Sequence, residues 1–192
     1  MFSLPPVTQT LILINVAAFL IDSLTGNMLS RQMALWPLGS NFMPWQIITY
    51  AFLHGNLTHL LFNMFGVYMF GADVERVWGT RRFLIFYMVC AIAAAIAQLI
   101  VTSLTGSVYP TVGASGALFG LLLAFAMLFP DRVVVPLFPP IPMRAPIFVA
   151  IYGGLELFLG VTGTQAGVAH FAHLGGMAGG YLLLRYWRGA RR

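Results

Sequence analysis

The sequence predicts an all-α membrane protein: a bundle of six transmembrane helices with a long interfacial first outer loop, forming one domain over residues 1–192. Three observations carry that expectation. The 192-residue chain is 59% hydrophobic and only 8% charged, a balance that a soluble domain with a polar surface does not carry. Its apolar residues gather into six segments, roughly 6–25, 57–72, 82–104, 115–130, 145–162 and 168–187, several of them short for a full span. Its ten basic residues are all arginine and sit at segment ends, as topology determinants do, which excludes a nucleic-acid surface despite the net charge of +5.

The first segment lacks the basic flank of a cleaved signal peptide and is expected to remain as an anchor, with Asp22 near its end. The loop 26–56 carries Arg31, Trp36, Pro37, Pro44 and Trp45 before the apolar run Ile47 to Leu53, a composition suited to headgroup level. Asn56-Leu57-Thr58 fits a glycosylation acceptor, on three residues only. In the second segment His59 and Asn63 are four residues apart and so share a helix face; Asp73, Glu75, Arg76, Arg81 and Arg82 follow at its far end. Cys90, the single cysteine, lies in the third segment, reads as a small buried hydrophobe and excludes an intrachain disulfide. The fourth segment opens from an uncharged loop through Thr111-Val-Gly-Ala-Ser-Gly-Ala-Leu-Phe-Gly120. Six prolines between Phe129 and Pro146 forbid a continuous helix there. Glu156, alone in the fifth segment, is left unplaced: a protonated or hydrogen-bonded carboxylate inside the bundle is the reading favoured over a catalytic role. The sixth segment carries His170 and His173, three apart on one face.

Nine arginines against one place both termini in the cytoplasm, with 26–56, 105–114 and 163–167 outside. Ser115 then lies just below the outer face. At about 1.5 Å of rise per residue, His173 sits roughly 5 to 10 Å below that boundary. His59 and Asn63 enter from the same side, so four polar residues from three helices converge on one depth. Intramembrane polar groups are costly to hold and call for a functional account. A neutral imidazole can take a serine proton during attack on a carbonyl and return it to the leaving amine. Spacing alone leaves His170 and His173 level as that base. His59, Asn63 and the backbone at Ser115 are donors of the kind that hold an oxyanion. No acidic third member is evident, so a dyad is the simplest arrangement. Gly116–Gly120 and Gly176–Gly180 are small-xxx-small patterns that let the fourth and sixth segments approach closely, and Gly113, on the other side of Ser115, is expected to serve the same helix packing.

Gly113-Ala-Ser-Gly116, Ala172-His173 followed by Gly176 and Gly180, and His59-Leu-Leu-Phe-Asn63 together resemble a rhomboid intramembrane serine protease of the basic six-helix bacterial type. Trp45, His54 and the run Gly71 to Arg76 followed by Gly79 extend the resemblance along the chain. It implies Ser115 as nucleophile, His173 rather than His170 as base, and His59 with Asn63 on the oxyanion side. It also implies single-span membrane proteins as substrates, a site near the outer face of the cell (inner) membrane, and no cofactor. Two residues depart from the family pattern. Gln46 stands where related proteins often have an arginine, so the first loop is expected to lack those ion contacts. Phe119 replaces a tyrosine beneath the histidine, which keeps the ring packing and loses the hydroxyl.

Rival readings are weaker on the same residues. A non-catalytic rhomboid-like protein that binds membrane segments is expected to lack the serine or the histidine. A metal site from His59, His170 and His173 has no cysteine beside it, and a zinc protease has no His-Glu-x-x-His. A transporter is expected to show two related halves, which the sequence does not.

Overall fold

Pro6, whose fixed φ suits a first helical position, opens α1 (Pro6–Leu24) in the computed structural model, which describes residues 3–39, 41–164 and 168–189. The start of α1 is capped from a distance. Glu75, 2% exposed, accepts from the Val7 N–H at 3.0 Å, the Thr8 N–H at 2.7 Å and the Thr8 hydroxyl at 2.7 Å. A carboxylate at a helix N-terminus meets both the free N–H groups and the favourable end of the dipole. Asp22, near the other end of α1, accepts from the Ser30 hydroxyl and, at 3.0 Å, from the Ser30 N–H in α2 (Met28–Met33).

The connection onward holds α3 (Gln46–Thr49) and a 3₁₀ turn, Tyr50–Phe52. Gln46 organises it. Fully buried, its amide donates to the Gln32 and Asn41 carbonyls, both at 3.1 Å, and accepts from the Met43 and Trp36 N–H groups at 3.2 and 3.3 Å. A neutral side chain with donors and an acceptor thus does the work expected to be missing with the arginine. The same connection reaches the stretch ahead of Ser115: Leu35 and Thr111 exchange two backbone hydrogen bonds at 2.9 Å, and the Gly113 N–H donates to the Tyr50 carbonyl at 3.0 Å.

α4 (Leu57–Gly66) runs through a π turn, Val67–Gly71, into α5 (Ala72–Trp78), six residues beyond the expected end of the second segment. α6 (Thr80–Thr105), α7 (Ser115–Leu128), α8 (Ala145–Thr162) and α9 (His170–Gly189) match the remaining segments. Between α7 and α8 the proline-rich stretch forms a hairpin of two-residue strands, β1 (Val133–Val134) antiparallel to β2 (Met143–Arg144), a small departure from all-α. Arg191, Arg192 and residues 165–167 of the last expected outer loop lie outside the described residues.

α6, α7 and α9 form the centre. Phe83, Phe86, Tyr87, Cys90 and Ala94 of α6 and Ala117, Leu121 and Ala124 of α7 are fully buried, while α1 and α8 turn large apolar side chains such as Leu13, Leu20, Leu155 and Phe158 outward. Apolar side chains face out where the solvent is hydrocarbon. Among the described residues, α1, α6 and α8 are long and apolar enough to cross a membrane. The protein is a helical membrane protein.

Candidate active site

The sequence places a loop-to-helix transition at Ser115, and glycine sets its shape. Gly113 has φ of 130°, a conformation open to glycine, and a Cβ there would fall 2.8 Å from the His59 ring and 3.6 Å from Ser115 Oγ. Gly113 therefore belongs to the loop, where it makes room for His59, and is not a helix-packing residue as expected. Ser115 is the first residue of α7, and the first intrahelical bond runs from the Leu118 N–H to the Ala114 carbonyl at 3.0 Å. That leaves the N–H groups at the start of the helix beside the serine.

Close packing brings the partner helix in. A Cβ on Gly176 would lie 1.9 Å from the Gly116 carbonyl oxygen, and one on Gly120 would lie 3.0 Å from the Gly176 oxygen, so the α7 and α9 backbones touch. Gly180 instead meets Phe86 and Cys90 of α6, while Gly175 and Gly179 pack on Ala97 and Ala93 of the same helix. This second glycine stripe lies one residue out of step with the first and faces a different helix.

With the backbones this close, Ser115 Oγ lies 2.7 Å from His173 Nε2. The His173 ring stacks on Phe119 at 4.4 Å between centroids and 6° between planes, so the ring packing expected without a tyrosine hydroxyl is present. His170 does not meet the serine: its Nδ1 donates to Glu156 Oε2 at 2.6 Å. The same oxygen lies 2.8 Å from His173 Nδ1, off the line of the ring N–H, so this contact is electrostatic more than a directed hydrogen bond. An acidic group therefore stands behind the histidine: Glu156, the one carboxylate whose place the sequence left open. Its side chain is 14% exposed. The available signal was the spacing of Glu156 from Gly153 and Gly160, three and four residues away on one helix face.

Ser115, His173 and His59 line a cavity of about 690 Å³ together with Tyr50, Gln98 and Ala172. Asn63 is buried and does not itself line the cavity; it gives one amide proton to the His59 carbonyl at 2.9 Å. His54, also buried, meets His59 edge to face at 5.0 Å, and burial, then the neighbouring His59, pushes its pKa down to about 3. A neutral ring therefore backs the cavity wall. His170 and His173 with Glu156 bring three ligand-type atoms within 4.8 Å of one another, although contacts of 2.6 and 2.8 Å are hydrogen-bonding lengths and leave no room for an ion without rearrangement.

Comparison with known proteins places these features in a family. A family model described as the rhomboid domain matches residues 41–189. YdcA of Bacillus subtilis (strain 168), named as a candidate rhomboid protease, is 33% identical over 141 residues, covering 72% of this chain and 65% of its own length. The rhomboid protease GluP of the same organism is 40% identical over 78 residues, 41% of this chain and 14% of its own. The rhomboid protease GlpG of Yersinia pestis (strain Pestoides F) is 26% identical over 189 residues, 95% of this chain and 62% of its own. The chain thus spans less than two thirds of the length of each of these relatives. With the domain match taking in most of its residues, the chain belongs to the rhomboid family.

Proposed function

We propose that this protein is an intramembrane serine endopeptidase that cuts single-span membrane proteins near the outer end of their transmembrane helix, with Ser115 as nucleophile and His173 as general base. The observation that carries this reading is the 2.7 Å contact between Ser115 Oγ and His173 Nε2 at the wall of a cavity. As Oγ attacks the scissile carbonyl carbon, Nε2 takes the hydroxyl proton. It returns that proton to the amine when the C–N bond breaks, and a water then releases the acyl group by the same route. The N–H of Ser115, His59 and the second amide proton of Asn63 are the donors for the oxyanion.

In this reading six helical segments cross the cell (inner) membrane as one domain, both termini are cytoplasmic, and the connection from α1 to α4 rests in the outer interface. The length of α7 supports a sunken site. Fourteen residues at about 1.5 Å each reach only about 21 Å of a hydrocarbon core about 30 Å thick, so a helix that ends at the cytoplasmic side begins below the outer surface. Gln98, Ser107 and Thr58 offer water a polar path into the cavity. A substrate helix hides its carbonyls in its own hydrogen bonds and must unwind to present one, which favours segments weakened by glycine.

Cleavage of a model single-span substrate in proteoliposomes tests the reading. Ser115→Ala and His173→Ala abolish cleavage, Asn63→Ala slows it about 10-fold or more, as loss of one oxyanion donor should, and His170→Ala keeps substantial activity. A fluorophosphonate labels Ser115. Full turnover by Ser115→Ala sinks the mechanism.

A further inference from the structure

We infer that Glu156 is a positioning residue of the site: its carboxylate, gripped by His170, orients His173 and faces the charge that ring acquires when it takes the Ser115 proton. This rests on the Ser115–His173 assignment and extends it to a third helix.

Tautomer chemistry comes first. For Nε2 of His173 to accept from Ser115, the ring's own proton must sit on Nδ1, and Nδ1 is the atom 2.8 Å from Glu156 Oε2. A carboxylate at that distance favours this tautomer over the one that would put a proton between Nε2 and Oγ. Charge comes second. Proton transfer makes a cation of a ring only 9% exposed, and a buried cation needs a nearby anion. The chain has five acidic residues. Asp22 is bound to Ser30, Glu75 to the start of α1, Asp73 to Arg76 and Arg132, and Asp131 to Arg144. Glu156 is the one that remains, and it faces the histidine.

The carboxylate is also held in place. His170 Nδ1 donates to it at 2.6 Å, while His170 Nε2 is buried with no partner, so the ring is kept at some cost for what Nδ1 does. The backbone adds a second constraint. Gly153 and Gly160 flank Glu156 on one face of α8, and Cβ atoms there would meet Met177 at 3.2 Å and His170 with Phe171 at 3.1 Å. Two glycines thus seat α8 on α9 with Glu156 between them, and the carboxylate needs little freedom to reach both rings.

Steady-state cleavage in proteoliposomes, together with the rate at which a fluorophosphonate labels Ser115, tests the role. Rates are normalised to the folded fraction. Glu156→Gln removes the charge at constant shape; it is expected to lower kcat about 10-fold or more, leave KM within about 2-fold, and slow labelling by a similar factor. Glu156→Asp keeps the charge on a shorter arm and is expected to label faster than Glu156→Gln. Wild-type kcat and labelling in Glu156→Gln, with Ser115→Ala and His173→Ala inactive, overturns the inference and leaves the catalytic pair standing. Turnover by Ser115→Ala overturns the pair itself. Glu156→Asp labelling no faster than Glu156→Gln reduces Glu156 to packing and overturns the role. Loss of wild-type activity to a chelator, with recovery on added zinc, overturns it in favour of a metal held by Glu156, His170 and His173.

Discussion

A histidine buried with neither ring nitrogen bonded has its charge state decided by its surroundings. His54 is 4% exposed, its two nitrogens lack partners, and burial, then the charge His59 would carry, brings its pKa from 6.5 to about 3. The unfolded chain takes a proton at this ring near pH 6.5, whereas the folded protein resists it until about pH 3. Between those values the unfolded state binds more protons, so stability is full above about pH 6.5 and falls as the pH drops through that window. The slope approaches about 1.4 kcal/mol per pH unit, or about 2 kcal/mol between pH 6.5 and 5. Thermal unfolding in detergent at pH 7.5 and pH 5 should therefore show an acid-induced fall in Tm that is smaller in His54→Leu. An equal fall in both proteins removes His54 from the account. Ser115, His173 and His59, which the sequence sets at one depth, line one cavity in the fold. The sequence left Glu156 unplaced, because which way a lone carboxylate points depends on a helix rotation that local spacing does not set.

Helix approach is governed by glycines that differ sharply in what they face. Gly176 is pressed against the Gly116 backbone, where a Cβ would lie 1.9 Å from a carbonyl oxygen, whereas a Cβ on Gly154 would meet nothing within 4 Å. Backbone cannot yield as a flexible side chain can. Gly176→Ala should therefore cost about 3 kcal/mol or more and, by moving α9 off α7, lower kcat/KM at least about 10-fold. Gly154→Ala should leave both unchanged or raise stability slightly, since alanine is the better helix former. Measuring Tm and cleavage for the two variants checks the contrast, and equal effects contradict it. Helix bounds were legible in the sequence within a few residues wherever an apolar run met a proline, glycine or arginine. The π turn at Val67–Gly71 and the hairpin of β1 and β2 were not, since each answers to packing and pairing beyond the local pattern.

Across the whole molecule, polarity sorts toward one end. Arg82 lies 4.2 Å over the Trp187 ring and 5.6 Å from that of Trp78, and Asp73 pairs with Arg76 and Arg132, a charged and aromatic cluster of the kind that sits at a membrane interface. The cavity of Ser115 opens among residues from the other ends of these helices. Cysteine accessibility in intact cells tests the orientation this suggests. In a Cys90→Ala background, Gly106→Cys should react with a membrane-impermeant maleimide added outside, and Gly189→Cys should react only after lysis. The reverse pattern inverts the topology.

Apolar length, arginine placement and short motifs are local properties of the chain, so the membrane class, the helical segments and the candidate serine, histidines and asparagine could be read from it directly. That Gly176 faces α7 while Gly175 and Gly179 face α6, that a neutral Gln46 ties the first connection together, and that Glu156 stands behind His173 emerge in the folded molecule alone. Those outcomes depend on how each helix is rotated about its axis, which is set by the fit of neighbouring backbones and by the need of every buried polar group for a partner.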